Sequence, residues 1–233
     1  MKLYQTTILI ASIVVLACFV RIYILMFIVM SAIVAFSSSL LNKHHSKGIV
    51  AVNVVILLLA FLLLKNAEGY ALPVGYSVFA FSTISLLVDQ YKSHRCYSLL
   101  ETLCFLFFFP KVFAGPIDRA EQFIDQIRTK KKFSVSSVYE PLKMCVYASL
   151  YKFVVADQLY MLCLETYSGI NEVLCILCYG IAFFFDFYAY SIFAIAFGKA
   201  LGVSLSENFN SPYSSKSFKD FWRRWNITLS PSP

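Results

Sequence analysis

The chain has 233 residues, of which 59% are hydrophobic and 14% are charged, and its formal net charge is +7. A soluble domain has about 25% charged residues, so this chain cannot cover a water-exposed surface. Intrinsic disorder is excluded as well, because disordered segments contain few apolar residues. With a mean hydropathy of +0.70, the composition predicts an all-α polytopic transmembrane bundle, with residues 1–233 forming one membrane domain.

The excess positive charge lies mainly in short polar loops between apolar segments. This distribution sets membrane topology, since cytoplasmic loops are rich in Lys and Arg, and it argues against nucleic acid as a partner. The seven cysteines lie mostly inside apolar runs, where cysteine behaves as a small hydrophobic residue. We therefore expect no metal site and no tightly bound cofactor.

Four apolar runs open the chain, and each is long enough to cross a hydrocarbon core about 30 Å thick. They cover residues 3–20, 22–41, 48–64 and 70–88, and we expect residues 1–69 to form the N-terminal transmembrane helices. If all four runs cross the membrane, the polar segments on its two sides contain different numbers of Lys and Arg residues. One side has Lys2, Lys43, Lys47, Lys92 and Arg95, and the other has Arg21 and Lys65. This asymmetry favours a cytoplasmic N-terminus.

Residues 98–117 form an apolar run that is unsuited to a simple crossing. The run contains Pro110, Lys111, Gly115 and Pro116, which are tolerated at membrane depth only where the backbone is buried in protein. Basic segments precede and follow the run, so both of its ends belong on the same side. The sequence therefore predicts a re-entrant segment or a pair of half-helices, with residues 110–116 forming a re-entrant wall.

Residues 139–159 and 173–201 are two further apolar stretches, and the second carries Asp186 near its middle. A charge inside a membrane span is costly and marks either a functional site or an ion pair. Two interpretations stay open for Asp186. It lines a functional chamber, or it pairs with Lys152 or Arg223 to hold helices together.

The last stretch has the pattern of an amphipathic helix at the membrane interface. Between residues 214 and 225, aromatic residues recur every three or four positions and basic residues fall between them. Ser214 or Ser217 is expected to cap the start of this helix, and Pro231 is expected to end it. Its basic residues place it on the cytoplasmic side.

Four ordered segments together resemble one protein family. They are residues 72–79 (LPVGYSVF), 109–119 (FPKVFAGPIDR), 152–157 (KFVVAD), and a longer match made of 185–191 (FDFYAYS), 206–213 (SENFNSPY) and 221–230 (FWRRWNITLS). This pattern is similar to that of membrane-bound O-acyltransferases, and within them to the bacterial alginate O-acetyltransferase branch. The resemblance covers about residues 70–230.

The resemblance implies an enzyme that transfers an acyl group to a hydroxyl inside a membrane-embedded chamber. The donor is expected to be an acyl-CoA, acetyl-CoA in particular. The family's second polar active-site position corresponds to Asn226. Asparagine cannot accept a proton, but its amide can orient a carbonyl or donate to an oxyanion. Asp186 and Tyr190 are expected to line the chamber.

Arg223, Arg224 and Trp225 are expected to contact substrate or donor, with the arginines near donor phosphates. The alternative for the arginines is contact with lipid headgroups, and for the aromatic residues it is anchoring at the interface. The resemblance also implies a multi-pass protein of the bacterial inner membrane. Its expected partners are the lipid bilayer, a polysaccharide acceptor and a periplasmic acyl-transfer protein.

The family's invariant histidine has no counterpart among the matched segments. The histidines of this chain are His44, His45 and His94, and none lies in a matching motif. We therefore expect the chain to be the N-terminal portion of a longer enzyme. The alternative function is a non-catalytic membrane subunit or a transporter-like protein, since transporters also combine broken helices with intramembrane carboxylates.

Overall fold

The computed structural model describes residues 2–20, 24–66, 75–112, 115–129, 136–166 and 172–229. Across these ranges the chain is helical and contains no β-strand, so the predicted all-α class is confirmed. The chain divides into two compact units, which are described separately. The first comprises Met1–Phe113 and Ile117–Lys132, and the second comprises Ala114–Pro116 and Phe133–Pro233. The boundary expected between residues 69 and 70 lies outside the described residues.

The first unit contains seven helices within the described ranges. They are α1 (Lys2–Val20), α2 (Ile24–His44), α3 (Lys47–Asn66), α4 (Tyr76–Ser93), α5 (Leu99–Phe107), α6 (Phe109–Val112) and α7 (Ala120–Arg128). The first three runs predicted as crossings match α1, α2 and α3. By length and composition, Lys2–Phe19 and Leu25–His44 are able to span a membrane, and Lys47–Leu63 is a shorter apolar helix. The fourth run begins with residues that are not described, and α4 extends five residues beyond its predicted end at Val88.

The predicted break between residues 98 and 117 is present. Helix α5 has 9 residues, which is about 14 Å at 1.5 Å per residue and too short to cross a membrane. Phe108 interrupts the helix, and α6 adds a single turn. The break lies against the start of α4, where Gly75 has a φ of +83° and a Cβ at that position would lie 2.5 Å from the carbonyl oxygen of Val112.

Helix α7 was not predicted, because the charges of residues 118–132 suggested a loop. Its apolar residues are spaced at helical intervals, and Phe123, Ile124 and Ile127 are buried. Its charged residues pair with the neighbouring helices: Arg95 contacts Asp125 at 2.9 Å, and Arg128 contacts Glu101 at 2.6 Å. Both basic segments that flank the broken helix therefore lie at the same end of the first unit, as the sequence predicted.

The second unit is built on two long helical segments. Helix α8 (Ser136–Ser149) continues through a π-helical turn, Leu150–Ala156, into α9 (Asp157–Thr166), and α10 spans Glu172–Ala200. The 29 residues of α10 form the third segment able to cross a membrane in the described chain, which confirms the run predicted at 173–201. Large apolar side chains such as Phe153, Val154 and Ile176 are exposed, as expected of surfaces that face lipid.

The predicted interfacial helix is shorter than expected. Helix α11 spans Phe218–Arg224 and is preceded by a 3-10 turn, Pro212–Ser214. Ser217 caps α11 by accepting a hydrogen bond from the Asp220 backbone, as expected. The expected end at Pro231 is wrong, because Trp225 is already extended and the chain turns back to pair with an earlier segment.

Candidate functional site

Asp186 lies in an ion cluster with two residues of the α8–α9 segment. The Lys152 ammonium lies 2.7 Å from a carboxylate oxygen of Asp157 and 2.7 Å from one of Asp186. Lys152 and Asp186 are 19% and 26% exposed, so water screens these charges only in part. Of the two interpretations of Asp186, the structure shows the pairing with Lys152. The ring of Tyr190 lies 5.6 Å from the same ammonium.

The π-helical turn explains how Lys152 and Asp157 come together. In this turn the Asp157 backbone N–H donates to the carbonyl of Lys152, one residue further back than in an α-helix. The wider turn brings the two side chains to hydrogen-bond distance across five residues. Single π-helical turns are frequent at functional sites. The KFVVAD motif of residues 152–157 largely coincides with this π-helical turn.

Two segments of the motif-rich tail pair with each other. The Asn210 N–H donates to the carbonyl of Arg224, and the Ile227 N–H donates to the carbonyl of Asn208. Between these bonds, Phe209 and Trp225 form an antiparallel bridge. This pairing is what ends α11 early.

Asn226 lies at the turn that follows this bridge. Its φ is +45°, a left-handed conformation that asparagine tolerates better than most residues. Its carbonyl accepts a 3.0 Å hydrogen bond from the Leu229 N–H, and its side chain is half-buried. An asparagine is therefore explained here by backbone geometry alone, and the carbonyl-orienting role of Asn226 stays a prediction.

Aromatic rings hold the paired segment against α10. The ring of Phe209 lies 5.1 Å from Trp225, 5.4 Å from Phe184 and 5.1 Å from Phe187. Trp225 also stacks on Phe221 of α11 at 5.4 Å. Trp225 thus packs within the second unit, and both its contact with substrate or donor and its anchoring at the interface stay predictions.

The two arginines of α11 differ in their surroundings. Arg224 contacts Asp220 at 3.1 Å, and this hydrogen bond lowers the pKa of the Asp220 carboxyl. Arg223 is exposed and so more accessible than Arg224 to a phosphate or a lipid headgroup. The donor role and the headgroup role both stay predictions.

A cavity of about 270 Å³ lies beside the paired segment in the second unit. Its lining residues are Met144, Tyr147, Tyr151, Tyr188, Ser191, Ile192, Ile195, Glu207, Asn208 and Phe209. The lining thus includes three tyrosines, a serine, a glutamate and an asparagine beside apolar residues. Such a mixture is typical of ligand sites, in which a few polar groups fix orientation within apolar walls.

Asn208 is the most buried polar residue of this cavity, with 1% of its surface exposed. Its side-chain oxygen accepts a 2.7 Å hydrogen bond from the Thr228 hydroxyl. Its side-chain nitrogen is buried and has no hydrogen-bond partner among the described residues. Buried polar groups are nearly always paired, so this nitrogen is an exception to that rule.

The predicted site residues are only partly brought together. Asp186 and Tyr190 share the Lys152 cluster, but neither lines the cavity, which is lined instead by Tyr188 and Ser191 from another face of α10. Asn226 does not line the cavity either. The sequence analysis missed the residues that line the cavity. For Tyr147 and Tyr151 the available signal was their helical spacing of four residues. Asn208 lies within a matched motif, but no role was assigned to it.

The comparisons with known proteins agree with the resemblance. Residues 4–231 match the family described as "MBOAT, membrane-bound O-acyltransferase family". The chain is 33% identical over 166 residues to the probable alginate O-acetylase AlgI of Pseudomonas aeruginosa, an alignment that covers 68% of this chain and 32% of that protein.

Two other curated relatives carry different names. The teichoic acid D-alanyltransferase of Bacillus subtilis is 33% identical, with 62% of this chain and 37% of the relative covered. The peptidoglycan O-acetyltransferase of Helicobacter pylori is 29% identical, with 68% and 37% covered. The chain therefore spans about a third of the length of these relatives.

Proposed function

Because the chain belongs to the membrane-bound O-acyltransferase family, we propose that it acts in transferring an acyl group to hydroxyls of a cell-surface or exported polysaccharide. In its specific form, the proposal is O-acetyl transfer from a cytoplasmic thioester such as acetyl-CoA. The observation that carries it is the family match over residues 4–231.

The relatives support acyl transfer and differ in acceptor and acyl group. Their names specify alginate, teichoic acid and peptidoglycan as acceptors. Two of these three names specify acetyl transfer and one specifies D-alanyl transfer. Acetyl is therefore the acyl group proposed for this chain, and D-alanyl is the comparison that an experiment must include.

The proposed reaction places definite demands on the site. The acceptor hydroxyl oxygen attacks the thioester carbonyl carbon, forming a C–O bond while the C–S bond breaks and the thiol leaves. A base takes the hydroxyl proton, and hydrogen-bond donors stabilise the negative charge on the carbonyl oxygen. Asn226 is proposed as one such donor, with Asp186 and Tyr190 lining the chamber, and the base is the histidine that the resemblance implies.

The proposed setting is the bacterial inner membrane with a cytoplasmic N-terminus. Helices able to span a membrane and the asymmetric distribution of basic residues support this arrangement. The proposed partners are the lipid bilayer, the polysaccharide acceptor and a periplasmic protein that completes acyl delivery. Arg223 is proposed to contact donor phosphate or lipid headgroups, since it is exposed.

An assay with membrane vesicles tests the proposal. Inside-out vesicles that contain the gene product are given acetyl-CoA labelled in the acetyl group, and label that reaches polysaccharide through an alkali-labile bond is measured. We expect labelling that vesicles without the gene product lack. Equal labelling in both would overturn the proposal and favour the non-catalytic or transporter-like alternative.

Two variants of Asn226 separate its turn geometry from its chemistry. Asn226→Gly keeps the left-handed conformation but removes the amide, whereas Asn226→Ala loses both. If the amide orients the carbonyl, transfer falls about 100- to 1,000-fold in both variants, a range set by the loss of a single oxyanion donor. If the glycine variant transfers acetyl at the wild-type rate, Asn226 is only a turn residue.

A further inference from the structure

Two cysteines of the second unit meet where α9 packs against α10. The Cys163 thiol lies 3.5 Å from the carbonyl oxygen of Cys175, and the Cys175 thiol lies 3.7 Å from the carbonyl oxygen of Cys163. A side-chain hydrogen bond also joins the two thiols. One turn further along, the rings of Tyr160 and Tyr179 lie 5.4 Å apart. We infer that Cys163 and Cys175 are oxidised to a disulfide that fastens α9 to α10.

The reciprocal contacts of the two cysteines are the first step. A disulfide requires two backbones that approach closely and side chains that point towards each other. Here each sulfur reaches the main chain of the other cysteine, so both conditions are addressed by the same contact. Cys175 and Cys178 form a C-x-x-C in the sequence, but the structure brings Cys175 to Cys163 on the neighbouring helix.

The distribution of charge around this helix end is the second step. No Lys or Arg lies between Lys152 and Lys199, whereas basic residues precede α8 and follow α10. Because cytoplasmic segments are rich in Lys and Arg, the connection between α9 and α10 is expected on the extracytoplasmic side. Disulfides form and persist there, whereas cytosolic thiols are kept reduced.

The length of α10 is the third step. Its 29 residues span about 44 Å, which exceeds a hydrocarbon core about 30 Å thick. Cys175 is the fourth residue of α10, at the end where a spanning helix leaves the core. A water-borne oxidant can therefore approach this end of the helix pair.

The exposure of the two thiols sets the order of the reaction. Cys163 is buried and Cys175 is half-buried, so Cys175 reacts first with the oxidant, a thiol–disulfide oxidoreductase in its disulfide form. The Cys175 thiolate attacks one sulfur of that disulfide, and the other sulfur leaves and takes up the proton that Cys175 lost. The Cys163 sulfur then attacks the Cys175 sulfur and releases the second thiol of the oxidant. Two electrons and two protons thus pass from the chain to the oxidant.

The state of the two cysteines in cells tests the inference. Cells that produce the full chain are treated with N-ethylmaleimide before lysis, which blocks free thiols. The purified chain is digested without reductant by a protease that cleaves after Glu. Trypsin would leave Cys163 and Cys175 in one peptide, whereas cleavage at Glu165 and Glu172 separates them. We expect the two peptides to be joined by a bond that a reductant breaks. Recovery of both cysteines in alkylated form would overturn the inference.

Serine variants identify the partner of Cys163. Cys163→Ser and Cys175→Ser should each abolish the cross-link between the two peptides. Cys178→Ser is the matched control, since Cys178 lies one turn away in the same peptide as Cys175, and it should keep the cross-link. A cross-link that is lost in Cys178→Ser and kept in Cys175→Ser would overturn the assignment.

A measurement on the wild type keeps the test decisive if the variants fold poorly. The purified full chain in detergent is incubated with oxidised or with reduced glutathione, and its melting temperature is recorded. Because a disulfide constrains the unfolded chain, the oxidised chain should melt at a higher temperature, and a reductant should reverse the shift. Equal melting temperatures would overturn the fastening role. Neither measurement requires acyl transfer, so an inactive chain in the vesicle assay leaves the disulfide standing.

Discussion

The Thr228 hydroxyl donates a 2.7 Å hydrogen bond to the side-chain oxygen of Asn208, 20 residues earlier in the chain. This bond ties the turn that carries Asn226 to the wall of the cavity. It also links two of the motif segments that the sequence showed only as separate matches. A change at Thr228 should therefore affect both the stability of the tail and the amide of Asn208.

Thr228→Val is expected to destabilise the second unit. The valine keeps the shape of threonine but leaves the Asn208 oxygen without this donor, at a cost of about 1–3 kcal/mol. Thr228→Ser keeps the hydroxyl and should lose less than half as much. Thermal unfolding of the purified variants in detergent measures the difference, and equal melting temperatures for valine and serine would contradict this role for the hydroxyl.

Lys152→Met is expected to destabilise the second unit by about 2–3 kcal/mol. The substitution leaves the carboxylates of Asp157 and Asp186 without their shared cation, and the loss is below the 3–5 kcal/mol of fully buried pairs because these groups are partly exposed. The matched test is the double variant Lys152→Met with Asp186→Asn, which removes one of the stranded charges.

If the Lys152–Asp186 contact mainly holds helices together, the double variant should be more stable than Lys152→Met alone. Acyl transfer, which Lys152→Met should lower by destabilising the second unit, should then recover in the double variant. A double variant that regains stability but stays inactive would instead assign Asp186 to the reaction chamber. Unfolding in detergent and the vesicle assay together give both readings.

Glu101 is expected to make the stability of the first unit depend on pH. Burial raises the pKa of Glu101, but hydrogen bonds from Arg128 and Ser98 outweigh it, so the pKa is lowered overall from its ordinary value of 4.5. A lowered folded-state pKa stabilises the fold fully above the ordinary value and less as pH falls through the folded value. Stability should therefore fall as the pH drops below about 4.5.

Glu101→Gln should be less stable than the wild type at neutral pH by about 1–3 kcal/mol. It should also lose the part of the pH dependence that Glu101 provides. Glu140 is exposed, so Glu140→Gln is the control and should follow the wild type. Melting temperatures measured between pH 3.5 and 7 decide the matter, and parallel curves for wild type and Glu101→Gln would refute the assignment.

Gly75→Ala is expected to destabilise the first unit, because a Cβ there would lie 2.5 Å from the Val112 carbonyl oxygen in a left-handed backbone. The conformation alone costs about 1–2 kcal/mol, and the collision adds to it. Gly180 lies inside α10, where an added Cβ would have nothing within 4 Å, so Gly180→Ala should cause no loss. Equal unfolding temperatures for the two variants would show that Gly75 does not need to be glycine.

Much of the architecture follows from patterns that a sequence displays. Apolar runs gave α1, α2, α3 and α10, and the prolines and glycines of residues 109–119 indicated a broken helix. Asp186 in mid-span indicated a charged partner, and Lys152 was one of two expected. Helix α7 was missed because its charges, which suggested a loop, are paired with Asp89, Arg95 and Glu101, contacts that no local pattern reveals.

The candidate site was less predictable for a physical reason. The pairing of residues 208–210 with 224–228 joins segments that no regular period relates, so neither the early end of α11 nor the free amide of Asn208 has a signal in the sequence. Asn226 was predicted as a site residue from a motif. Its left-handed backbone conformation is by itself a reason for asparagine at this position. Local patterns identified the segments, and only the fold identified which side chains face the cavity.

The most direct test of the central claim is the acyl content of the cell envelope. The gene is disrupted in the organism that carries it, and acetate and D-alanine released from isolated envelope polymers by mild alkali are measured. We predict that acetate release falls, that the wild-type gene restores it, and that D-alanine release is unchanged. Unchanged acetate release after disruption would contradict O-acetyl transfer by this protein.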